Sequence, residues 1–481
     1  MLDGKFKIYL YFCAIAFFFL LGIVLFYSFG YKYNLEENKA VQTGAIIIKA
    51  QPEKIDIYKD GAIYKNNKTI ANLFSDFVKI EDLKSGTYNI KIESGNYFSW
   101  EKNVNVKSGY VTELKNIVLL KKDYSKNIIL SGIEINSQEN NIWTNNRKDK
   151  IAYQKISKKG LVLAVFDFNK NSESIIADLE KIPFSGMKDG YFFSDIIFSN
   201  DNANVILKIK SADKNIWHLI GAENGNKIYD LSQTLNESEE IKNEWNFYFG
   251  KFLFFIKNSA LYRFDYAKRT AEKALEDVNS FSIYGDYIYF FKPNDNKLYS
   301  GNINGLSGIP NIKTVLEMPE SFDSRLPAKI TKTGKNTYLV LSSSGKLYYI
   351  NNKNEIKFIN SSAEKADFSN NGERIIYGDD HEIWIYYIKE KTSQPQKKEF
   401  ANELITRFSG NISNVFLYKD EEHLFYREGN IFKFSEIDNR DKRNIFEILE
   451  AHDDNIFYFK NSNLLYYIKN DELIQIDLEE K

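Results

Sequence analysis

The chain has 481 residues, of which 43% are hydrophobic and 15% aromatic, with 64 Lys and Arg against 65 Asp and Glu. This length is too great for one ordinary core and predicts two or three domains. A net charge of −1 excludes the global basic field expected of a nucleic-acid binder. With Cys13 as the one cysteine, no internal disulfide can form, so cysteine content does not indicate the compartment.

The first predicted element is a transmembrane anchor within residues 1–30. Residues 8–29 read IYLYFCAIAFFFLLGIVLFYSF and contain no charged side chain. About 20 apolar residues at ~1.5 Å each span a hydrocarbon core of about 30 Å. Tyrosines lie toward both ends of the run, as in the aromatic belt of a membrane interface, at Tyr9, Tyr11, Tyr27, Tyr31 and Tyr33. The lipid bilayer is therefore an expected partner, through residues 8–29.

A cleaved signal peptide and a buried core helix are the other interpretations of this run. The run is longer than the apolar region of a signal peptide, and no Ala-x-Ala site follows it. A lipoprotein signal would need small residues where Tyr11 and Phe12 precede Cys13. The β-rich sequence that follows has no need of a core helix this long.

The expected topology is single-pass in the cell membrane, with the N-terminus cytoplasmic and the bulk extracytoplasmic. Lys5 and Lys7 precede the run, while Lys32 and Lys39 follow it, so the positive-inside bias is weak. The few residues ahead of the run favour this orientation.

Residues 41–121, after a linker at residues 31–40, predict a small β domain. Short alternating runs are separated by turns such as Lys59-Asp60-Gly61 and Leu83-Lys84-Ser85-Gly86. Gly61 and Gly86 are expected to serve turns that need positive φ or tight closure. Tyr97 and Trp100 are interpreted as core residues and not as a ligand platform.

The order of strands, glycines and aromatics resembles the PEGA domain, a small β-sandwich of bacterial and archaeal surface proteins. The matching positions are Gly44, Pro52, Ile57–Gly61, Leu83, Gly86, Tyr88, Gly95, Tyr97, Trp100, Val104, Val106 and Gly109. The chain departs from the family pattern in the long insert Ala62–Lys79 and in Lys54, which follows Pro52-Glu53. The resemblance implies a surface-associated spacer or binding module without catalytic residues.

Residues 125–481 repeat a unit of short strands and turns about every 40–45 residues, the spacing of propeller blades. The clearest copy, residues 366–388, reads ADFSNNGERIIYGDDHEIWIYYI, with turns at Asn370–Gly372 and Gly378–Asp380. It resembles the repeat of TolB-like and WD40-like β-propellers. Trp384 is expected to pack between neighbouring blades.

The repeats predict a seven- or eight-bladed β-propeller, so that the chain is all-β after its one N-terminal transmembrane helix. Residues 128–130 are expected to add a strand to the last blade and close the ring. The borders of the units near residues 292–318 and 390–407 leave the blade count open. A large β-sandwich or a β-solenoid is the alternative fold.

The chain has no pattern that marks a catalytic, cofactor-binding or metal site. We therefore predict no catalytic residues, no cofactor and no metal site, and the binding residues stay unknown. The histidines have no metal-binding spacing, a single cysteine excludes a thiolate zinc site, and there is no Gly-x-Ser-x-Gly elbow. Those histidines are His218, His381, His423 and His452. Ser342–Gly345 is interpreted as a hairpin turn and not as a nucleophile.

Clusters of acidic and amide side chains occur at four predicted strand ends, which are Asn200–Asn202, Asn294–Asn296, Asp379–Glu382 and His452–Asn455. Oxygen-rich loops can bind Ca²⁺, but none of these has the spaced loop with a central Gly and a terminal Glu. Asn and Asp also favour turns through their own backbone hydrogen bonds. His381 is either a pH-sensitive group or part of a solvated turn.

These features predict a membrane-anchored extracytoplasmic binding or scaffold protein, not an enzyme, whose propeller recognises a protein or a cell-envelope polymer. The alternative is an extracytoplasmic hydrolase or lyase that acts on a glycan with carboxylates at the propeller mouth. Carboxylates from several blades that converge on the central channel would favour the enzyme. A membrane-tethered sensor is a third hypothesis, and it would require a partner in the membrane.

Fractionation of cells that express the full chain tests the anchor. We expect full-length protein in the membrane fraction, released by detergent and not by high salt. Replacing Phe18 and Leu21 by Arg costs about 2.5–3.5 kcal/mol per residue at a helix centre and should shift the protein to the soluble fraction. Soluble wild-type protein truncated near residue 30 would instead indicate cleavage.

Overall fold

The computed structural model describes residues 4–34, 38–64, 77–133, 142–145, 149–157, 160–178, 192–199, 204–210, 215–221, 228–231, 246–248, 252–265, 268–305, 308–334, 336–451 and 455–479. In this part of the chain, one helix, α1 (Gly4–Ser28), precedes a series of β-strands. Over Tyr9–Ser28 its length and composition are sufficient to cross a membrane, and none of this stretch is buried inside the protein. The helix is therefore not a core helix.

A hairpin holds the end of α1 against the following domain. Strands β1 (Tyr31–Asn34) and β2 (Lys39–Gln42) pair antiparallel, with Tyr31 opposite Gln42. The Thr43 N–H donates to the Gly30 carbonyl at 2.8 Å, and Gln42 Nε2 donates to the Phe29 carbonyl at 3.1 Å. These donors satisfy carbonyls that a helix end otherwise leaves without partners.

The small domain, residues 41–121, consists of two sheets around one core. Its strands are β3 (Gly44–Gln51), β4 (Asp56–Lys59), β5 (Ala62–Ile63), β6 (Val78–Leu83), β7 (Gly86–Glu93), β8 (Trp100–Val106) and β9 (Val111–Val118). One sheet has the order β6-β3-β9, with β3 and β9 parallel, and the other has the order β5-β4-β7-β8. Both contribute to a core that includes Ile46, Ile48, Ile90, Ile92, Trp100 and Leu114.

The structure shows the outcome of two predictions in this domain, that Gly61 and Gly86 serve turns and that Tyr97 and Trp100 are core residues. Gly61 has φ +78°, which its turn requires, whereas Gly86 lies opposite Val106 as the first residue of β7 and is not left-handed. Trp100 is 2% exposed, as expected of a core residue. Tyr97 is partly buried against the same core.

In the described residues, eight four-stranded antiparallel sheets follow, after strand β10 (Lys126–Ser131). Sheet 1 contains β11 (Ile142–Thr144), β12 (Lys150–Ser157), β13 (Gly160–Asp167) and β14 (Ser172–Asp178). Sheet 2 contains β15 (Phe192–Phe198), β16 (Asn204–Lys210), β17 (Asn215–Gly221) and β18 (Ile228–Asp230). Sheet 3 contains β19 (Asn246–Tyr248), β20 (Phe252–Lys257), β21 (Ala260–Asp265) and β22 (Thr270–Leu275). Sheet 4 contains β23 (Ser280–Tyr284), β24 (Tyr287–Lys292), β25 (Asp295–Asn302) and β26 (Lys313–Glu317).

The remaining sheets continue in the same order. Sheet 5 contains β27 (Ala328–Thr333), β28 (Thr337–Ser342), β29 (Leu347–Ile350) and β30 (Ile356–Asn360). Sheet 6 contains β31 (Lys365–Phe368), β32 (Arg374–Gly378), β33 (Glu382–Tyr387) and β34 (Asn402–Arg407). Sheet 7 contains β35 (Ile412–Leu417), β36 (His423–Glu428), β37 (Ile431–Glu436) and β38 (Ile445–Glu450). Sheet 8 contains β39 (Ile456–Phe459), β40 (Leu464–Lys469) and β41 (Glu472–Asp477), and β10 is its fourth strand.

Strand β10 closes the series of sheets into a ring. It pairs antiparallel with β41, so that Lys126 lies opposite Ile476. This pairing confirms the prediction for residues 128–130. Sheets 1 and 8 then share a hydrophobic core, formed by Ile142, Ile151, Tyr153, Tyr466, Ile468 and Leu473.

Every neighbouring pair of sheets shares a hydrophobic core in the same way. In β20, consecutive residues Leu253 and Phe254 are both fully buried although they point to opposite faces. Burial of both faces is expected when a sheet packs between two others. The successive sheets therefore form a β-propeller, as the repeats predict. Trp384 stacks on Tyr377 and packs against the core that sheets 5 and 6 share.

The small domain is docked on the propeller through a buried ion pair. The Lys102 side chain is 0% exposed, and its Nζ lies 3.0 Å from Glu436 Oε1. Lys102 Nζ also donates to the Asp438 carbonyl at 2.7 Å, and Trp100 Nε1 donates to Glu436 Oε2 at 3.0 Å. Phe98 stacks on Phe446 in sheet 7. These contacts fix the small domain against sheet 7.

A second contact comes from the connection between β33 and β34 in sheet 6. The side chain of Gln394 accepts the Glu113 N–H at 3.0 Å and donates to the Val111 carbonyl at 2.9 Å. The amide group thereby pairs with β9 as a strand backbone would. The border at residues 390–407, which left the blade count open, contains this contact at Gln394 and then the fourth strand of sheet 6, β34.

Substitution of Lys102 tests this docking. We expect Lys102→Met to lower the free energy of unfolding by about 3–5 kcal/mol, because the Glu436 carboxylate stays buried without its counter-ion. Lys91→Met removes an exposed pair with Glu93 in the same domain and should leave stability nearly unchanged. Urea unfolding of the detergent-solubilised chain, followed by tryptophan fluorescence, measures both. Equal effects of the two substitutions would contradict a stabilising role for the buried pair.

Candidate functional site

A cavity of about 790 Å³ runs along the inner strands of the ring. The first strands of neighbouring sheets lie beside one another, as β23 lies beside β27 and β35 beside β39, so the first strand of each sheet is the inner strand. The cavity is lined by residues of β27, β31, β35 and β39, which are the first strands of sheets 5 to 8. Asp149, Phe168 and Asn169, which flank strands of sheet 1, also line it, as do residues of the second strands of sheets 5, 6 and 8. The cavity therefore lies in the central channel of the propeller.

Aromatic side chains form much of the apolar wall of the channel. They are Phe168, Phe368, Tyr377, Phe416, Tyr458, Phe459 and Tyr466. The Phe168 ring centroid lies 4.4 Å from that of Phe459 and 4.5 Å from that of Tyr466, so three of these rings cluster where sheets 1 and 8 meet. Such surfaces offer contact area to a ligand at little conformational cost.

Charged side chains of both signs also line the channel. The acidic ones are Asp149, Glu364, Asp367, Asp379 and Glu382, and the basic ones are Lys329, Lys365 and Lys460. In the described residues, the carboxylates come from sheets 1 and 6 only. Lys365 Nζ lies 3.1 Å from Asp380 Oδ1, and Lys460 Nζ lies 3.1 Å from Glu421 Oε1.

The cluster Asp379–Glu382 is organised by turn hydrogen bonds. Asp379 Oδ1 accepts the N–H groups of His381 and Glu382, at 2.7 and 2.8 Å. Trp384 Nε1 and Arg407 Nε each donate to Glu382 at 2.6 Å. The Trp384 hydrogen bond and the Arg407 guanidinium hold the pKa of Glu382 below its usual value. His381 Nδ1 lies 2.9 Å from the Gly410 carbonyl, so this exposed histidine is part of a hydrogen-bonded turn.

The other sequence candidates do not join this site. Asp295 accepts the Tyr299 hydroxyl, and Asn294 has φ +59°, which is turn geometry. Ser342–Gly345 forms the predicted hairpin turn, in which the Gly345 N–H donates to the Ser342 carbonyl. The cluster Asn200–Asn202 and residues 452–454 lie outside the described residues. Among those that are described, no group of three or more His, Cys, Asp or Glu has the geometry of a metal site.

Sequence reasoning missed a buried histidine in sheet 7. His423 Nδ1 lies 2.7 Å from Asp420 Oδ2, and its ring stacks on Phe434 at 4.8 Å. Burial alone lowers the pKa of His423, but Asp420, with Glu436 and Glu422 adding to it, outweighs burial and raises that pKa. The spacing Asp-x-x-His was the available signal, because Asp420 Oδ1 also accepts the His423 N–H.

A second buried charge group links sheets 6 and 7. Arg374 Nη2 and Lys391 Nζ each lie 2.6 Å from a different carboxylate oxygen of Glu422. Burial lowers the pKa of Lys391 in spite of this partner. Arg374 Nη1 also donates to the Glu421 carbonyl. These contacts anchor the turn before β36 and do not face the channel.

No family model matches the chain, and no curated protein matches it. Among solved structures, its fold is similar to the Dos1 propeller, with a TM-score of 0.46 and 13% identity over 75% of this chain and 95% of that one. Porphyromonas gingivalis dipeptidyl peptidase 4 has a TM-score of 0.43 and 12% identity, over 73% of this chain and 60% of that one. The Myceliophteria thermophila Cps50 (Swd1) β-propeller domain has a TM-score of 0.38 and 10% identity, over 73% and 99%. These likenesses concern the fold, and neither binding nor catalysis follows from them.

The pH dependence of stability tests the His423–Asp420 pair. Because the pKa of His423 is raised above 6.5, its stabilisation is complete below pH 6.5 and is lost as the pH rises through the folded-state pKa. The pKa of Asp420 is held below 3.8 against the effect of burial, so its stabilisation is present above pH 3.8 and is lost on acidification. We expect Asp420→Asn to lower the free energy of unfolding by about 2–3 kcal/mol near pH 6.

That loss should shrink as the pH rises above the folded-state pKa of His423. Asp380→Asn, in an exposed pair with Lys365, serves as the control and should show no such pH dependence. Urea unfolding between pH 5 and pH 9 measures the difference between variant and wild type. A difference that stays constant over this range would show that the pair does not titrate as described.

Proposed function

We propose that the protein is a membrane-anchored, extracytoplasmic binding or scaffold protein, not an enzyme, whose propeller channel receives part of a protein or a cell-envelope polymer. The chain then divides into a transmembrane anchor (1–30), a connecting hairpin (31–40), a PEGA-like β-sandwich (41–121) and an eight-bladed propeller (125–481). The eight four-stranded sheets closed by β10 support this blade number. The N-terminus lies in the cytoplasm, and the other domains lie outside.

The composition of the channel wall carries the proposal. Aromatic rings supply binding energy at recognition surfaces, and charges supply specificity through complementarity with the partner. Asp379 already accepts N–H groups of its own turn, and Glu382 already accepts Trp384 of β33 and Arg407 of β34. A glycan hydrolase needs a carboxylic acid with a raised pKa, whereas the pKa of Glu382 is lowered. This distribution supports binding in preference to hydrolysis.

The length of the cavity favours an extended ligand. Glu364 and Phe368 both line it; Glu364 is the residue before inner strand β31, and Phe368 is the last residue of that strand. Four residue steps of extended chain separate them, which is about 13 Å. A channel of this length accommodates several units of a peptide or polymer.

A pull-down with the full detergent-solubilised chain against envelope extracts and glycans tests this function. Lys329→Glu reverses the one exposed lysine that sheet 5 contributes to the channel wall, and we expect it to reduce partner recovery by about tenfold, because like charges at an interface cost more than ~1.4 kcal/mol. Lys353→Glu reverses an exposed lysine in a turn of the same sheet, outside the channel, and should leave recovery unchanged.

Two results would contradict the proposal. One is a partner that is recovered equally by the wild type and by Lys329→Glu, which would place binding outside the channel. The other is release of new reducing ends from a glycan by the wild type and not by Glu364→Gln or Asp379→Asn, which would favour the hydrolase.

A further inference from the structure

The turn between β8 and β9 of the small domain, residues 107–110, lies against the end of the membrane helix. Thr43 connects the two, since its N–H donates to the Gly30 carbonyl at 2.8 Å and its own carbonyl accepts the Gly109 N–H at 3.0 Å. Gly109 also adjoins Gln42, because a Cβ built on Gly109 would lie 2.5 Å from Gln42 Nε2. The turn and the helix end are therefore separated by the width of one residue.

The position of this turn is fixed by the backbone as well. Gly44 in β3 packs against it so closely that a Cβ at Gly44 would lie 2.5 Å from the Lys107 carbonyl oxygen. The Ala45 N–H donates to the Tyr110 carbonyl, which continues the pairing of β3 with β9. The turn cannot move away from α1 without breaking the start of this sheet.

The side chains on this turn are those typical of a membrane interface. Tyr110 is 69% exposed, and Val111 beside it is also exposed. Phe29 and Tyr27 at the end of α1 are exposed as well, and Tyr31 packs on Phe26 of the helix. Tyrosine has an apolar ring and a polar hydroxyl, and it is enriched where hydrocarbon meets headgroups. These rings together form an aromatic surface around one end of the apolar helix.

Lys107 adds a charge to this surface. Its side chain is exposed and forms no ion pair with the residues that the structure describes. Lysine side chains at an interface lie with their methylene stems along apolar surface and their ammonium groups among the lipid phosphates. If this surface were instead buried against another protein, the Lys107 ammonium would lose its water at a cost in free energy.

We propose that Lys107, Tyr110 and Val111 form a second membrane contact, inserted in the headgroup region of the bilayer beside α1. The proposal rests on the membrane anchor of the proposed function. The bilayer is the occupant of this surface because the turn is continuous with the helix end and lies at the level where the apolar run stops. Because the small domain is docked on sheet 7, two contact points with the membrane set the orientation of the propeller channel as well.

Spin labels on the full chain in lipid nanodiscs test the contact, in a Cys13→Ala background that removes the native cysteine. Ser108→Cys carries a label on the turn and leaves Tyr110 intact. Tyr287→Cys carries a control label. Tyr287 is an exposed residue of sheet 4, which lies across the ring from sheet 8. With lipids whose headgroups chelate Ni²⁺, we expect strong relaxation broadening at residue 108 and several-fold less at residue 287. Adding Tyr110→Asp should reduce the broadening at residue 108, and Tyr110→Trp should preserve it.

A label at Ile15→Cys separates this inference from the anchor. Oxygen should relax it strongly and a water-soluble nickel chelate should not, if α1 lies in the hydrocarbon. If residue 15 shows this behaviour while residue 108 is broadened no more than residue 287, the second contact is overturned and the anchor stands. If residue 15 is open to the soluble chelate, the anchor and the second contact are both overturned.

Discussion

The structure depends on the fact that each sheet of the ring is apolar on both faces. No such sheet can be stable alone, because fully buried neighbours such as Leu253 and Phe254 point in opposite directions. Each face needs the adjacent sheet, and sheet 8 needs sheet 1. The pairing of β10 with β41 meets this requirement with a strand from before the first sheet. Cooperativity across the ring follows, since loss of one sheet exposes the faces of two others.

The same closure connects the propeller to the N-terminal apolar helix. Strand β10 follows directly on the small domain, which is also docked through Lys102 and Glu436. The end of α1 is in turn held by Gln42 and Thr43. A continuous series of packed or hydrogen-bonded contacts therefore runs from the helix to the ring. The helix, the small domain and the propeller are therefore joined by direct contacts as well as by the chain itself.

The channel has a different character from the cores between sheets. Its wall combines aromatic rings with Asp, Glu and Lys. The faces of each inner strand pack against neighbouring sheets, whereas the edge of the strand borders the open channel. Asp379 is satisfied by its own turn and Glu382 by Trp384 and Arg407, while Lys329 is exposed in the channel wall. Local hydrogen bonding thus determines which charges remain for a ligand, and residue type alone does not.

The sequence by itself determined the N-terminal apolar helix, the short strands and turns of the repeat, and the closing strand at residues 128–130. These features can be predicted from sequence because hydrophobic periodicity, glycines and Asn-Gly turns determine local structure within a few residues. Only the tertiary structure decided the Lys102–Glu436 pair, the Gln394 contact and the assembly of the channel wall. Trp100 and Glu436 are 336 positions apart, and no local pattern specifies which distant charges meet. The surface at Tyr110 likewise exists only because β3 brings residues 107–110 beside the end of the helix.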